Sequence, residues 1–530
     1  MLGAPTASRF PYRLVVLNTA ARYSGTFISM GVTFLLTPFL VHTLGRELLG
    51  LQTLAGQALQ FLGLVSAAMG ISYSRSATVH HARREFTEMN GTLGAAFWLS
   101  LITATLFACG TLLVAAFAKQ FFGLSEAITP TARMVILITG LTSSLQILTG
   151  VWTTPFYVSQ RLYWNDIAGS IATVGAAVAV VIAFKGGHPS IVLWAALANG
   201  FRLATTFFLL IPLARRTVPE FKPKLGLAGI VLRCRGVMGF GFFAFLGGLG
   251  YLLYYSTDSI LISNLGGLGT GRIIEYNLGQ RWDPMIRMFI SGFAGTLTPV
   301  LTSLVASGEH GRLHRTLVAA TRYSLALALF PCLVLVVYSG PFIACWVGRD
   351  FAGSAPIMRL VLAGTALSIP SIVGYEVLVA HARIGLAVSS TLVGGVLNIA
   401  LAIFFVKVLH LGLMGLALAV FITMACRNAI YTPMLLIRIS GLSVRSYFVE
   451  GHLPALLGAV PFVGLALALR FAWEPRSLWG ISLHFGICGL AYLACVWYIM
   501  LTLDDRVRLA EFVRGARKKC RLLVLGQAAS

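Results

Sequence analysis

The chain is short of acid. Its 530 residues include 17 aspartates and glutamates against 40 lysines and arginines, and charged residues of both signs make up only 11%. Soluble domains carry about 25%, so this chain lacks the polar surface an ordinary soluble fold needs. Long hydrophilic intervals are missing too. The longest fall near 214–235 and 503–530, too short for an independent core. No C-x-x-C pair is present, and no G-x-x-x-x-G-K-[ST], G-x-S-x-G or H-E-x-x-H run. Their absence excludes a phosphate loop, a serine-hydrolase elbow and a zincin helix within this chain. His310 and His314 have a metal-like spacing but stand in a polar loop with no third ligand nearby, so no metal site and no cofactor are expected. The Asn90-Gly-Thr sequon falls in a loop expected to face the cytoplasm, where glycosylation does not occur. The eight cysteines are scattered, and several lie within apolar runs as small fillers.

What is present is apolar sequence. Hydrophobic residues reach 57%, with a mean hydropathy of +0.85. Runs of 18 or more apolar residues recur along the whole chain, each long enough to cross a bilayer as a helix; membrane strands would alternate over about 10. The expected fold is an all-α polytopic membrane protein with 14 spans, near 14–43, 48–73, 91–118, 128–153, 163–184, 190–213, 237–264, 273–304, 316–339, 356–380, 384–406, 411–437, 452–470 and 477–502. The apolar segment after Arg9 and Arg13 is too long for a signal-peptide core and reads as a retained first helix.

The net charge of +23 is a topology signal. With the N-terminus inside, the cytoplasmic loops and tails hold 24 lysines and arginines and the outward loops 8, the remaining 8 lying within spans. That split predicts a membrane protein with both termini cytoplasmic. The basic tail suits contact with anionic lipid, and nucleic acid is not an expected partner.

An internal repeat is legible. "TLGAAFWLSL" at 92–101 and "TLVAATRYSL" at 316–325 share the frame T-L-x-A-A-x-x-x-S-L, 224 residues apart, with Arg322 where the first copy has Trp98. "FLVHTLG" closing at Gly45 and "ILISNLG" at Gly266 are 221 apart; "YVSQR" at Arg161 and "VAHAR" at Arg383 are 222 apart. The chain divides into a six-helix lobe over 1–213, a basic linker over 214–236, a second six-helix lobe over 237–437, two further helices over 438–502 and a basic tail over 503–530. Six is even, so the repeat is parallel, a common transporter plan.

Polar stripes run inside these spans. Asn18, Arg22, Thr26, Ser29, Thr33 and Thr37 recur every three or four residues, one face of a helix. Tyr276, Gln280, Asp283, Arg287 and Ser291 repeat the pattern, and Thr53, Gln57 and Gln60 make a shorter stripe. Such a face belongs against other helices or a hydrated cavity. Each residue also has a plain reading. Ser and Thr bond their own backbone, Asp283 and Arg287 pair four apart, and Arg322 reaches the headgroups. Six arginines (Arg22, Arg202, Arg281, Arg287, Arg322, Arg427) stand against three membrane acids, Asp258, Asp283 and Glu376, none of them in the N-terminal half. The excess of cations points to a lumen that receives an anion. Candidate substrate-binding residues are Arg22, Arg281, Arg287, Arg322, Asn18, Gln57 and Gln280. Asp258, Asp283 and Glu376 are coupling candidates.

The opening "LNTAARYSGTFISMGVTFLLTPFLVHTLGRELLGLQTL" resembles the start of polysaccharide transporters, the O-antigen and exopolysaccharide flippases of the multidrug/oligosaccharidyl-lipid/polysaccharide exporter superfamily, and the likeness continues through "DSILISNLGGLGTGRIIEYNLGQR" to about residue 440. The resemblance implies a V-shaped two-lobed bundle that alternates between inward- and outward-open states. It also implies an undecaprenyl-diphosphate-linked oligosaccharide as cargo, with membrane lipids, a polysaccharide polymerase and glycosyltransferases as partners. The related lipid II flippase also has 14 helices, its last two forming a groove for the lipid tail, and an arginine near the place of Arg22. Multidrug exporters of the superfamily usually carry an acid in the first helix, and this one has none. Two rivals are an ion-coupled small-molecule exporter on the same fold and a membrane glycan ligase or polymerase. The ligase or polymerase needs a large outward loop that this chain lacks.

Overall fold

In lipid every backbone polar group must be satisfied within the protein, which leaves helix as the form for long apolar runs. The computed structural model describes residues 12–226, 245–265, 269–381 and 383–502, with 242, 505–507 and 511. No strand occurs among the described residues. Twelve helices among them are long and apolar enough to cross a membrane. We number them α1 (Tyr12–Ala82), α2 (Phe86–Ala116), α3 (Thr129–Val158), α4 (Tyr163–Lys185), α5 (Ile191–Thr217), α6 (Gly271–Ala306), α7 (His310–Trp346), α8 (Ser354–Ala380), α9 (Ile384–Lys407), α10 (Gly412–Ser440), α11 (Ser446–Ala472) and α12 (Leu478–Met500). The protein is thus an all-α, multi-pass membrane protein.

Two expected spans share α1, which breaks at Gly45, where φ is +80°. The expected span 237–264 lies partly outside the described residues; its described part is helical over 245–255 and again over Asp258–Asn264. Much of the 214–236 linker, Gly266 and most of the tail also lie outside them. Asn90 is not in a loop as the hydropathy suggested. It is buried in α2, where the first turns extend the helix beyond its apolar core. α7 has 37 residues, about 55 Å of helix, well beyond a hydrocarbon core of about 30 Å.

The repeat is written into local geometry. Arg84 and Gly308, 224 apart, both take positive φ, 61° and 68°. The next residues, Glu85 and Glu309, cap α2 and α7 with φ, ψ of −86°, 62° and −78°, 63°. Arg84 N–H donates to His81 O and Gly308 N–H to Val305 O; Glu85 N–H donates to His80 O and Glu309 N–H to Leu304 O. Glycine takes this conformation freely, whereas arginine carries a strain of roughly 1–2 kcal/mol. The ends of α3 and α8 agree as well, with Arg161 N–H on Phe156 O and Arg383 N–H on Leu378 O, both at 2.8 Å. α5 and α10 each widen into a π turn, Thr206–Leu210 and Ala425–Tyr431. Pro212 and Pro433, 221 apart, follow or close these turns and remove a ladder donor at the same place.

Each copy also ties down the segment that follows its sixth helix. Trp98 Nε1 donates to Leu225 O and Arg322 Nε to Glu450 O, both at 2.9 Å. Asn90 Nδ2 donates to Glu220 O while its Oδ1 accepts from Lys222 N–H, and His314 Nε2 donates to Ser440 O at 2.7 Å. The close approach depends on Gly94, where an added Cβ would come within 1.8 Å of Lys224 O. Gly94→Ala should therefore lift residues 220–226 from α2 and raise their amide exchange tenfold or more. Gly169→Ala, where nothing lies within 4 Å, should leave exchange there unchanged.

Packing divides the chain into Met1–Tyr276 with Val388–Leu416, and Asn277–Ala387 with Ala417–Ser530. The first unit thus holds α9 and the 245–264 segment in addition to α1–α5. Small residues bring these two together. A Cβ on Gly395 would meet Leu253 Cβ at 2.8 Å and one on Gly250 would meet Leu392 N at 3.0 Å, while Asn398 Nδ2 donates to Tyr254 O. The same segment meets α1 through Ser256 Oγ, which donates to Gln60 Oε1. The second unit centres on α7, where Leu313, Leu317, Val318 and Ala320 pack with Leu301, Val373, Val377 and Leu436.

Candidate functional site

The polar face of α1 carries two kinds of residue. Thr26 and Thr37 turn their hydroxyls onto the carbonyls of Arg22 and Thr33, four residues back, the self-satisfied state common for threonine in membrane helices. Asn18 is a clamp. Its Nδ2 donates to Gln160 O at 2.8 Å and its Oδ1 accepts from Tyr163 N–H at 2.9 Å, which holds the start of α4. Arg22 remains exposed. Asp166, in the first turn of α4, lies near enough to feel its charge. α1 and α4 pack closely here, for a Cβ on Gly25 would lie 3.2 Å from Ser170 Oγ and 3.5 Å from Asp166 O.

Asp166 corrects the count of membrane acids. The N-terminal half is not free of them, and Glu275 in the first turns of α6 adds another, buried and paired with Arg272 at 2.7 Å. Both stand near helix N-termini, where the backbone dipole favours a carboxylate. A count made for the middle of the spans passes over such positions.

Asp258 also lies in the first unit. It is buried, accepts a hydrogen bond from Tyr276 Oη at 2.8 Å through Oδ2, and has no partner at Oδ1. Gln60 lines a cavity of about 380 Å³ within this unit; Gln57, on the same helix, does not line it and has a buried Oε1 without a hydrogen-bond partner. Ser66, Tyr73, Ser100, Thr139 and Gln146 line it too. The sequence did carry a signal for this cavity that the polar stripes above leave out. Thr139, Ser143, Gln146 and Gly150 recur every three or four residues on α3.

In the second unit Arg287 pairs with Asp283, Nε to Oδ1 at 2.6 Å. Its Nη2 reaches Ser368 Oγ, and Thr365 Oγ1 donates to the same Asp283 oxygen at 2.5 Å. The local pairing of residues four apart therefore holds, enclosed by hydroxyls. Glu376 accepts from Thr298 Oγ1 at 2.6 Å. Gln280 and Arg281 stand where α6 breaks between Gly271–Gln280 and Trp282–Ala306. Pro284 supplies the cause, having no N–H for the Gln280 carbonyl. Arg322 is the bracket to Glu450 described above, in the place Trp98 holds in the first copy. Among the described residues, no group of three or more His, Cys, Asp or Glu could hold a metal.

The geometry thus offers an exposed guanidinium on a membrane helix and, in the same unit, an uncharged polar cavity. A family model described as "Polysaccharide biosynthesis protein" matches residues 45–356, more than half of the chain. The chain belongs to the polysaccharide biosynthesis protein family. Over 486 residues it is 24% identical to "Uncharacterized membrane protein EpsK" of Bacillus subtilis (strain 168), covering 90% of this chain and 94% of that protein. Its fold is similar to that of the lipid II flippase MurJ in an inward closed conformation, with a TM-score of 0.67 at 15% identity, over 91% of this chain and 98% of MurJ. It is also similar to an inward-facing MATE multidrug resistance transporter of the MOP superfamily, with a TM-score of 0.65 at 15% identity, over 80% of this chain and all of that one. A family of this kind on this fold bears out the resemblance read from the opening helix.

Proposed function

We propose that this family member is a flippase that carries a lipid-linked oligosaccharide, anchored on undecaprenyl diphosphate, from the cytoplasmic to the outer leaflet of a bacterial inner membrane by alternating access. Its two six-helix repeats act as the moving lobes, and both termini lie in the cytoplasm. Glycosyltransferases build the cargo and a polysaccharide polymerase consumes it. The observation that carries this reading is the exposed Arg22 on a polar face of α1 in a polysaccharide-biosynthesis membrane protein. Guanidinium keeps its charge and its planar fork grips phosphate oxygens in pairs. Asp166 holds that cation in place of cargo between cycles. Deleting the chain should stop surface polysaccharide and accumulate lipid-linked oligosaccharide on the inner leaflet. Continued surface polysaccharide would overturn the reading.

Asp166 and Asp258 favour one rival, an ion-coupled exporter of small molecules, because they supply the acids that reading needs. The exporter predicts that Asp258→Asn abolishes proton- or sodium-driven efflux of organic cations from vesicles, with surface polysaccharide untouched.

A further inference from the structure

Within the first unit, the middle turns of α1 beyond Gly45, of α2 and of α3 line the open cavity of about 380 Å³. Its lining holds no Asp, Glu, Lys, Arg or His. What it holds instead is a set of neutral hydrogen-bonding groups. Gln60, Ser66, Ser100, Ser143, Thr139 and Gln146 line it, with Tyr73 and Phe107 as the aromatic surfaces. Two of these groups are buried and have no hydrogen-bond partner, Thr139 Oγ1 and Gln146 Nε2. Ser66 and Ser143 return their hydroxyl protons to the carbonyls of Gly63 and Thr139, which leaves their oxygens as acceptors.

Buried polar groups without partners each cost about 1–3 kcal/mol, and a fold keeps several around one cavity when something else satisfies them. A charged ligand would meet no counter-charge here, which makes its transfer costly. A polyhydroxyl ligand meets both donors and acceptors. Ligand pockets run from about 300 to 1,000 Å³, so this one suits a short sugar segment and not a long glycan.

We infer that this cavity is a carbohydrate-binding subsite, which takes the neutral sugar segment of the cargo through Thr139 and Gln146 while Arg22 serves the diphosphate. The inference rests on the flippase reading above and adds a division of labour within one unit. Anchor and glycan are recognised by different chemistry.

The test uses the full-length protein in nanodiscs and two probes, undecaprenyl diphosphate bare and carrying a neutral trisaccharide. Wild-type protein should bind the glycosylated lipid at least tenfold more tightly. Thr139→Val, which is nearly isosteric, and Gln146→Leu should each reduce that preference severalfold, and together should erase it, with affinity for the bare lipid unchanged. Both variants should melt at or above the wild-type temperature, because each removes a buried group that has no hydrogen-bond partner within the protein. Equal affinity of the wild type for the two lipids, variants that keep the preference, or a lowered melting temperature in both would overturn the subsite. Wild-type protein that binds neither lipid would overturn the flippase reading itself.

Discussion

Arg22→Ala should leave the protein in the membrane at wild-type abundance and cut export of surface polysaccharide by about 10- to 100-fold. Arg22 is exposed, and the hydrogen bond it accepts from Thr26 Oγ1 is to its backbone carbonyl, which the substitution leaves in place. Its removal therefore takes away no buried contact. The loss should fall on the cargo instead. A charge-assisted hydrogen bond is worth about 1.5–3 kcal/mol, and each 1.4 kcal/mol is a factor of ten. Arg22→Lys keeps the charge but loses the two-pronged grip, so its export should fall between the two. The measurement is surface polysaccharide per cell against membrane protein by immunoblot. Full export in Arg22→Ala would remove this residue from the cargo path. Asn18→Ala should behave differently. It unties Gln160 and Tyr163, so abundance should fall along with export.

The second large effect is structural. Arg287→Ala strips the partner from Asp283, whose side chain is only 3% exposed. Breaking a buried pair from one side costs about 3–5 kcal/mol, because it strands the other charge. Abundance in the membrane should collapse. Asp283→Asn should do similar damage by leaving the guanidinium among Ser368 and Met424. Replacing both members with neutral residues of similar volume, Asp283→Asn with Arg287→Met, should restore most of the protein, since neither charge is then stranded. If the double variant accumulates normally and exports normally, the pair only holds the unit together. If it accumulates and does not export, Arg287 also serves the cargo. Failure of the double variant to accumulate would mean that the hydroxyls of Thr365 and Ser368 need an ionic partner.

Several features of the protein follow from sequence alone. Apolar runs of bilayer length made the membrane class and the helices inevitable, because backbone in lipid satisfies itself only as helix or closed barrel and barrel strands would alternate over about 10 residues. The 221–224 offset reported real local geometry, since a turn repeats wherever its hydrogen-bonding and its tolerance of positive φ repeat, as at Arg84 and Gly308. A resemblance running from the opening helix to about residue 440 pointed to the family, whose model matches residues 45–356.

Tertiary structure decided which polar residues are free. Hydropathy and spacing gave Asn18, Arg22 and Thr26 the same standing on one face. Only the approach of the 160–163 turn made Asn18 a clamp, and only the packing of α4 on α1 brought Asp166 near Arg22. Arg322 raised the sharpest question in the sequence, a charge where its twin has Trp98, and its answer depended on a carbonyl at Glu450 that lies 128 residues away. The polar cavity was likewise divided among three helices, each contributing an ordinary-looking run of Gln, Ser, Thr and Gly. A partner's direction and distance are properties of packed helices, set by where small residues let backbones meet, and a one-dimensional pattern does not contain them.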